Sequence, residues 1–248
     1  AETLQVNLPS ESDVPLLHEL MESTGITISS LSAYSTRLLG PDMESAKEDV
    51  ARIERAIDTA AALGVPCVSQ FAGNDPARDF NENIATFKQM FTPLAQRAED
   101  AGVTLVFENC PLLKGQPPVV NNLAYCPNAW DAMFDAVSSK SIGLELDTGH
   151  LPWLGIDLIR CIHDYAPRIK HVHLKDCIID AEAQYRHGRL DGNFYKHGVP
   201  GDGGINFSAA IFALEAEDYN GDLTLDLRPT TQETVRRGMN YMQSLLRA

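Results

Sequence analysis

The chain has 248 residues, of which 44% are hydrophobic and 22% charged, as in an ordinary soluble protein with a sizeable core. Its formal net charge of −14 argues against a nucleic-acid backbone or an anionic membrane as the main partner, although a few local cations could hold a small anionic substrate. No apolar run approaches the roughly 18 residues of a membrane span, no signal peptide is recognisable, and five widely spaced cysteines without a Cys-x-x-Cys pair predict reduced thiols in the cytoplasm.

Hydrophobic periodicity and Gly or Pro punctuation predict seven strands, each followed by a helical pattern. Five predicted strands span residues 3–8, 26–34, 65–71, 103–108 and 223–227, and two more begin at Ile142 and Ile169. The predicted helices span residues 13–24, 44–63, 80–101, 128–137, 155–165, 205–216 and 231–246. Residues 110–127 and 177–204 show no periodicity, and we interpret them as loops.

Strands that alternate with helices predict a parallel sheet with helical cover, and we expect one domain, residues 1–248, of the (β/α)8 TIM-barrel class. Seven strands are one fewer than a closed eight-stranded barrel needs, so we expect the first strand and helix to be absent from this sequence. A seven-stranded or open barrel and an open doubly wound sheet are the alternatives. The sequence contains neither Gly-x-Gly-x-x-Gly nor a Walker pattern, so nucleotide binding has no support.

Four predicted strand ends carry side chains that can bind a metal, and they form one candidate set: Glu108, Asp147, His173 and Asp226. In a parallel barrel the carboxyl ends of the strands form one rim, where active sites are built. Three carboxylates and an imidazole suit Mn²⁺, Mg²⁺ or Co²⁺ better than structural zinc. A single carboxylate at a strand end is usually a helix cap or an ion-pair partner, but four side chains able to bind a metal at four strand ends predict a metal site.

Further polar side chains near these strand ends are candidates for substrate contacts. His171 and Lys175 share a strand face with His173, but His171 could equally be a core histidine and Lys175 could pair with Asp176. His197 ends a locally basic loop that could form a lid over an anion or be an ordinary solvated loop. Arg228 follows Asp226 in strand phase and could face the site or cap the strand end. We interpret Trp130 and Trp153 as packing residues.

The chain resembles the sugar phosphate isomerase/epimerase family of xylose isomerase-like barrels. The family includes ketose 3-epimerases, hydroxypyruvate isomerase, inosose dehydratase and, more distantly, apurinic endonucleases. The resemblance covers roughly residues 40–248 and rests on motifs in the family's order: Phe107-Glu108-Asn109-Cys110-Pro111, Asn122-Leu123-Ala124-Tyr125-Cys126-Pro127 with Trp130, Asp147-Thr148-Gly149-His150-Leu151, His171-Val172-His173-Leu174-Lys175-Asp176, Val199-Pro200-Gly201-Asp202-Gly203-Gly204-Ile205-Asn206-Phe207 and Tyr219-Asn220-Gly221-Asp222-Leu223-Thr224-Leu225-Asp226.

This resemblance implies one divalent metal ion (Mn²⁺, Mg²⁺, Co²⁺ or Zn²⁺) with ligands at Glu108, Asp147, His173 and Asp226. The family usually has Glu at the last position, so the shorter Asp226 puts that ligand or its catalytic reach in question. Glu108 and Asp226 would also be the acid/base pair that removes and returns a proton beside a metal-polarised carbonyl, through a cis-enediolate. His150 would contact the substrate or hydrogen-bond to a metal ligand. The expected activity is isomerisation or epimerisation of a small keto-sugar or polyol.

Three other functions are alternatives to this expectation. A lyase or dehydratase would use the same site and enediolate but expel a leaving group. A non-catalytic sugar-binding subunit is supported by the departure at Asp226. An apurinic endonuclease would need several more His ligands, several zinc ions and a basic surface, which the net charge of −14 and the 7 histidines argue against. By resemblance to the family, a homo-oligomer is also possible.

Overall fold

A computed structural model describes residues 3–115, 117–190 and 192–246. The chain divides into two compact units, one formed by Ala1–Lys114 with Val119–Glu145 and the other by Gly115–Pro118 with Leu146–Ala248. The boundary falls within a strand, so that the last two residues of that strand, Leu146 and Asp147, belong to the second unit.

The first unit is a parallel sheet with helices between its strands. Its strands are β1 Thr3–Asn7, β2 Thr27–Ser32, β3 Cys67–Gln70, β4 Thr104–Glu108 and the start of β5 Ile142–Asp147, and each pairs in parallel with the next. The helices are α1 Val14–Thr24, α2 Met43–Leu63, α3 Phe80–Asp100 and α4 Pro127–Ala136. Helix α3 begins at a capping box in which Asp79 and Glu82 each accept from the other's backbone amide, and α2 ends at left-handed Gly64.

The second unit begins with the end of β5 and continues through helices and strands in alternation. Its elements are α5 Leu151–Leu154, α6 Leu158–Tyr165, β6 Ile169–Leu174, β7 Asp176–Ile179, α7 Ala181–His187, β8 Tyr195–Gly198, α8 Phe207–Ala216, β9 Leu223–Leu225 and α9 Gln232–Leu246. Strand β9 pairs in parallel with β6, while β7 and β8 form an antiparallel hairpin. Directly after β5, the amide of Thr148 donates to the carbonyl oxygen of His173 at 3.1 Å.

Most of the predicted elements are confirmed. The seven predicted strands are all present, with β1 to β5 paired in parallel in the first unit and β6 paired in parallel with β9 in the second. The expectation that a helix follows each strand was wrong for β6, which is followed by strand β7. The prediction that residues 177–204 form a loop without secondary structure was wrong, because this segment contains most of β7 and the whole of both α7 and β8. The last parallel strand ends at Leu225 rather than at residue 227, so Asp226 and Arg228 follow the strand and the strand-phase argument does not apply to Arg228.

Apolar side chains of the strands and the inner helix faces form the core of each unit. In the first unit Phe87, Phe91 and Phe107 contact one another through stacked and edge-on rings 4.5–5.5 Å apart. All five cysteines are free thiols, as predicted. Among the helices of the described residues, none combines the length and apolar character needed to cross a membrane.

Candidate metal centre

Three of the four predicted metal ligands come together in the second unit. Asp147 is the last residue of β5, His173 lies near the end of β6, and Asp226 directly follows β9. Each offers one ligand atom, and these three atoms lie within 4.8 Å of one another. Asp147 is fully buried and His173 is 3% exposed, whereas Asp226 is only partly buried. Parallel strands therefore bring two carboxylates and an imidazole to one point at their carboxyl ends.

Asp147 is the most strongly held of these ligands. Its Oδ1 accepts a hydrogen bond from the Gly149 amide at 2.8 Å, and its Oδ2 lies 2.6 Å from Lys175 Nζ and 3.5 Å from His150 Nε2. Burial by itself raises the pKa of Asp147, but the nearby His150, Lys175 and His173 outweigh it and hold that pKa well below its ordinary value. Asp147 is therefore an ionised carboxylate at neutral pH.

Lys175 places a positive charge next to two of the predicted metal ligands. Its Nζ contacts Asp147 Oδ2 and also forms an ion pair with Asp226 Oδ2. The side chain is only 3% exposed. Its backbone amide and carbonyl both hydrogen-bond to Thr148 Oγ1, at 3.1 and 2.7 Å. The alternative in which Lys175 pairs with Asp176 was wrong, since adjacent residues of this extended segment point in opposite directions.

Asp176 has a structural role instead. This fully buried carboxylate accepts hydrogen bonds of 2.8–3.2 Å from four backbone amides, those of Cys177, Gly201, Gly203 and Ile205. A carboxylate that binds four amides satisfies buried donors that the turn after β8 would otherwise leave unpaired. The shape of this turn thus depends on Asp176, and both oxygens of its carboxylate already accept hydrogen bonds from backbone amides.

Four aromatic rings pack against one another, and one of them, His150, lies 3.5 Å from the candidate ligand Asp147. Trp153 stacks on Tyr195 with ring centres 4.3 Å apart, and His150 contacts the His197 ring edge-on at 4.9 Å. Tyr195 also contacts His197, at 5.5 Å. This packing attaches the β7–β8 hairpin to helix α5, so the predicted loop residue His197 belongs to an ordered, partly buried cluster. Burial, His150 and Lys175 lower the pKa of His197 to about 4, and the ring is therefore neutral near pH 7.

The two remaining predicted substrate contacts occupy different environments. His171 is 1% exposed, its Nε2 lies 3.2 Å from Thr224 Oγ1, and its ring centre is 5.4 Å from that of His173. That position is suited to orienting His173 rather than to meeting a ligand from solvent. Arg228 is exposed, just beyond the end of β9.

In the first unit, Glu108 and Glu145 lie opposite each other in a parallel pair of strands. Glu108 is the last residue of β4, is 5% exposed and pairs with Glu145 of β5. Glu145 Oε1 accepts from Gln5 Nε2 at 3.0 Å and from Ser69 Oγ at 2.5 Å. Tyr34 donates to Glu145 Oε2 at 2.5 Å, and burial together with the charges of Glu145 and Glu108 raises the pKa of Tyr34 well above its ordinary value.

Sequence reasoning missed these donors to Glu145 and the role of Tyr195. The donors come from three different strands or strand ends, and their sequence positions carry no signal of a shared partner. The period-2 alternation that places Glu145 on the face of Asp147 was the one available hint that this second carboxylate is buried. Tyr195 lies in a polar segment, where no hydrophobic periodicity marks a strand.

A family model described as xylose isomerase-like TIM barrel matches residues 2–245. The chain therefore belongs to this family of TIM barrels, which confirms both the predicted fold class and the resemblance to sugar isomerases and epimerases. The motifs that carry the resemblance contain the four candidate metal ligands, Glu108, Asp147, His173 and Asp226.

Similar proteins include enzymes of two kinds. An inosose dehydratase of Geobacillus thermodenitrificans is 36% identical over 95 residues, which are 37% of this chain and 32% of the relative. The chain spans about a third to a half of the length of the curated inosose dehydratases it matches. A D-tagatose 3-epimerase-like protein has a similar structure, with a TM-score of 0.80 and 19% identity over 99% of this chain and 88% of that one. For a 3-keto-D-glucoside 4-epimerase of E. coli the TM-score is 0.72, with 17% identity over 96% and 85% of the two chains. At these identities the structural likeness shows the fold alone.

Proposed function

We propose that the protein is a divalent-metal-dependent isomerase or epimerase of a small keto-sugar or polyol. The observation that carries this proposal is the meeting of Asp147, His173 and Asp226, whose ligand atoms lie within 4.8 Å of one another. Two carboxylates and an imidazole, with oxygen ligands completing the shell, fit Mn²⁺, Mg²⁺ or Co²⁺. Glu108 as the fourth ligand is part of the proposal and rests on the family resemblance.

When bound, the metal would supply a Lewis acid that makes the C–H group beside a substrate carbonyl more acidic. Glu108 and Asp226 would then act as acid and base on that carbon. Lys175 and His150 lie beside Asp147, where they can donate hydrogen bonds to substrate oxygens. The neutral His197 in contact with His150 would add a hydrogen-bonding ring without another positive charge.

A dehydratase is the second candidate, and the sequence relatives favour it. The inosose dehydratases are 30–37% identical to this chain over their matched segments. Both reactions begin when a base removes a proton beside a carbonyl. An epimerase or isomerase returns a proton to the resulting enediolate, whereas a dehydratase expels a hydroxyl group from the neighbouring carbon.

One experiment separates these candidates. The purified protein, supplied with Mn²⁺, is incubated in D₂O with a panel of ketopentoses, ketohexoses and inososes, and the products are followed by proton NMR. Deuterium at a substrate carbon with retention of all hydroxyl groups supports the isomerase or epimerase. Loss of water, seen as an unsaturated ketone in the ultraviolet, supports the dehydratase. Bound metal without either reaction would favour a non-catalytic sugar-binding protein.

The variant Glu108→Gln tests the proposed acid/base residue. We expect it to keep its fold, by circular dichroism, and to lose deuterium exchange, because an amide cannot accept the substrate proton. Full exchange in this variant would remove Glu108 from the mechanism. Glu44→Gln is the matched control, since Glu44 is an exposed residue of α2 and its loss should leave exchange unchanged.

A further inference from the structure

Lys175 holds together two of the proposed metal ligands. Its Nζ lies 2.6 Å from Asp147 Oδ2 and also forms an ion pair with Asp226 Oδ2. The same two carboxylates lie within 4.8 Å of a His173 ring nitrogen, in the cluster assigned above to a divalent metal. One ammonium group therefore contacts an oxygen atom of each of two carboxylates that the proposed metal centre includes.

We propose that Lys175 is an internal cation that competes with the divalent metal for Asp147 and Asp226, so that metal binds only as the ammonium group leaves the two carboxylates. This inference rests on the metal centre of the proposed function. It adds a residue that sets the metal affinity of the centre without being a metal ligand.

Contacts with Thr148 and Gly149 fix the position of Lys175. Thr148 Oγ1 fixes its backbone from both sides, at 3.1 and 2.7 Å. The side-chain stem passes over Gly149, where an added Cβ would come within 2.9–3.1 Å of Lys175 Cβ, Cγ and Cδ. Only a glycine at position 149 leaves enough room for the Lys175 side chain. The buried aliphatic part of this side chain holds the ammonium group next to the carboxylates.

Charge makes the two cations mutually exclusive at this point. The ammonium group lies against the negative charges of two carboxylates, that of Asp147 fully buried and that of Asp226 partly buried. A divalent ion that binds the same oxygen atoms would lie within a few ångströms of the ammonium group, where two positive charges in a partly desolvated site repel each other strongly. The metal must therefore displace Lys175 from Asp147 and Asp226, and part of its binding free energy is lost in breaking these ion pairs.

The test compares Mn²⁺ affinity in the whole protein and in Lys175→Met, by competition with a metallochromic chelator. Methionine is unbranched and fits the same passage over Gly149, but it carries no charge. We expect Lys175→Met to bind Mn²⁺ on the order of tenfold more tightly, or more. Lys170→Met is the matched control, because Lys170 is an exposed lysine of the same strand; it removes one positive charge and should leave the affinity unchanged.

A measurement on the unchanged protein keeps the test independent of how well the variant folds. With ¹⁵N-labelled lysine, the Lys175 ammonium signal, assigned by its absence in Lys175→Met, should shift or broaden when diamagnetic Mg²⁺ is added. Equal or weaker Mn²⁺ binding by folded Lys175→Met, or an unmoved Lys175 signal at saturating Mg²⁺, would overturn the inference while leaving the proposed metal centre intact. Failure of both proteins to bind metal would overturn the metal centre itself, and the inference with it.

Discussion

The backbone amide of Gly203 donates a hydrogen bond to Asp176 Oδ2 at 2.8 Å, and no space remains there for a side chain. A Cβ at position 203 would overlap Asp176 Oδ1 and the carbonyl oxygen of Cys177. The turn after β8 is thus fixed by close contact of glycine backbone with a buried carboxylate, and this residue, Asp176, directly follows Lys175 in the chain.

The substitution Gly203→Ala should therefore lower the free energy of unfolding by about 1–3 kcal/mol, because the methyl group must push the turn away from Asp176. Urea unfolding measures the change. Gly204→Ala is the control, since a Cβ at position 204 has no neighbour within 4 Å, and its effect should stay within about 0.5 kcal/mol. Equal effects of the two substitutions would show that the turn tolerates a shift at position 203.

Tyr34→Phe should destabilise the first unit. It removes the hydroxyl that donates to the buried Glu145 carboxylate at 2.5 Å, and a lost hydrogen bond to a charged group costs about 1.5–3 kcal/mol. Urea unfolding at pH 8 measures this loss below the raised pKa of Tyr34. Tyr185→Phe is the control because Tyr185 is 86% exposed. If both variants were as stable as the original protein, the hydroxyl of Tyr34 would not be needed to compensate Glu145.

The sequence predicts the parallel strands and the ends that carry Asp147 and His173, because apolar runs mark buried strands and the polar residue after each run marks its carboxyl end. It does not predict the hairpin β7–β8. The strand Tyr195–Gly198 is polar, and its stability comes from the Trp153 stack and from pairing with β7, which are long-range contacts.

Partner choice among charged groups is equally hidden from sequence reasoning. Lys175 has an acidic neighbour in the chain, Asp176, yet pairs with Asp147 and Asp226 from two other strand ends. Side-chain alternation sends neighbouring residues to opposite sides, so adjacency in sequence is a poor guide to ion pairs in extended chain segments. Likewise, only the folded structure shows that Gln5, Tyr34 and Ser69 all donate hydrogen bonds to Glu145.

Stability should fall at acid pH partly because of His197. Its pKa is about 4 in the folded protein, against an ordinary value of 6.5. As the pH falls through 6.5, the unfolded chain takes up a proton that folded His197 does not bind until pH 4, so the free energy of unfolding decreases across this window. Because the ring is partly exposed, solvent screening limits the effect to about 1 kcal/mol.

Urea unfolding of the original protein and of His197→Phe from pH 7.5 to 4 isolates this contribution. Phenylalanine keeps a ring in the cluster and cannot take up a proton. The stability difference between the two proteins should shift in favour of His197→Phe as the pH falls, while other acid-sensitive groups contribute equally to both. A difference that stays constant with pH would mean that His197 has the same pKa in the folded and unfolded chain.

Asp226→Glu should keep metal binding. It restores the residue usual in the family at this position, and a carboxylate one methylene longer still presents an oxygen to the centre formed with Asp147 and His173. We expect its Mn²⁺ affinity to stay within about tenfold of the original protein, whereas Asp226→Asn, which removes the charge at nearly the same size, should lose at least about tenfold. The chelator competition described for Lys175 measures both variants. Loss of Mn²⁺ binding in a folded Asp226→Glu protein would contradict this prediction. It would mean that the centre requires the shorter side chain, because the added methylene would displace the carboxylate from the position that the metal requires.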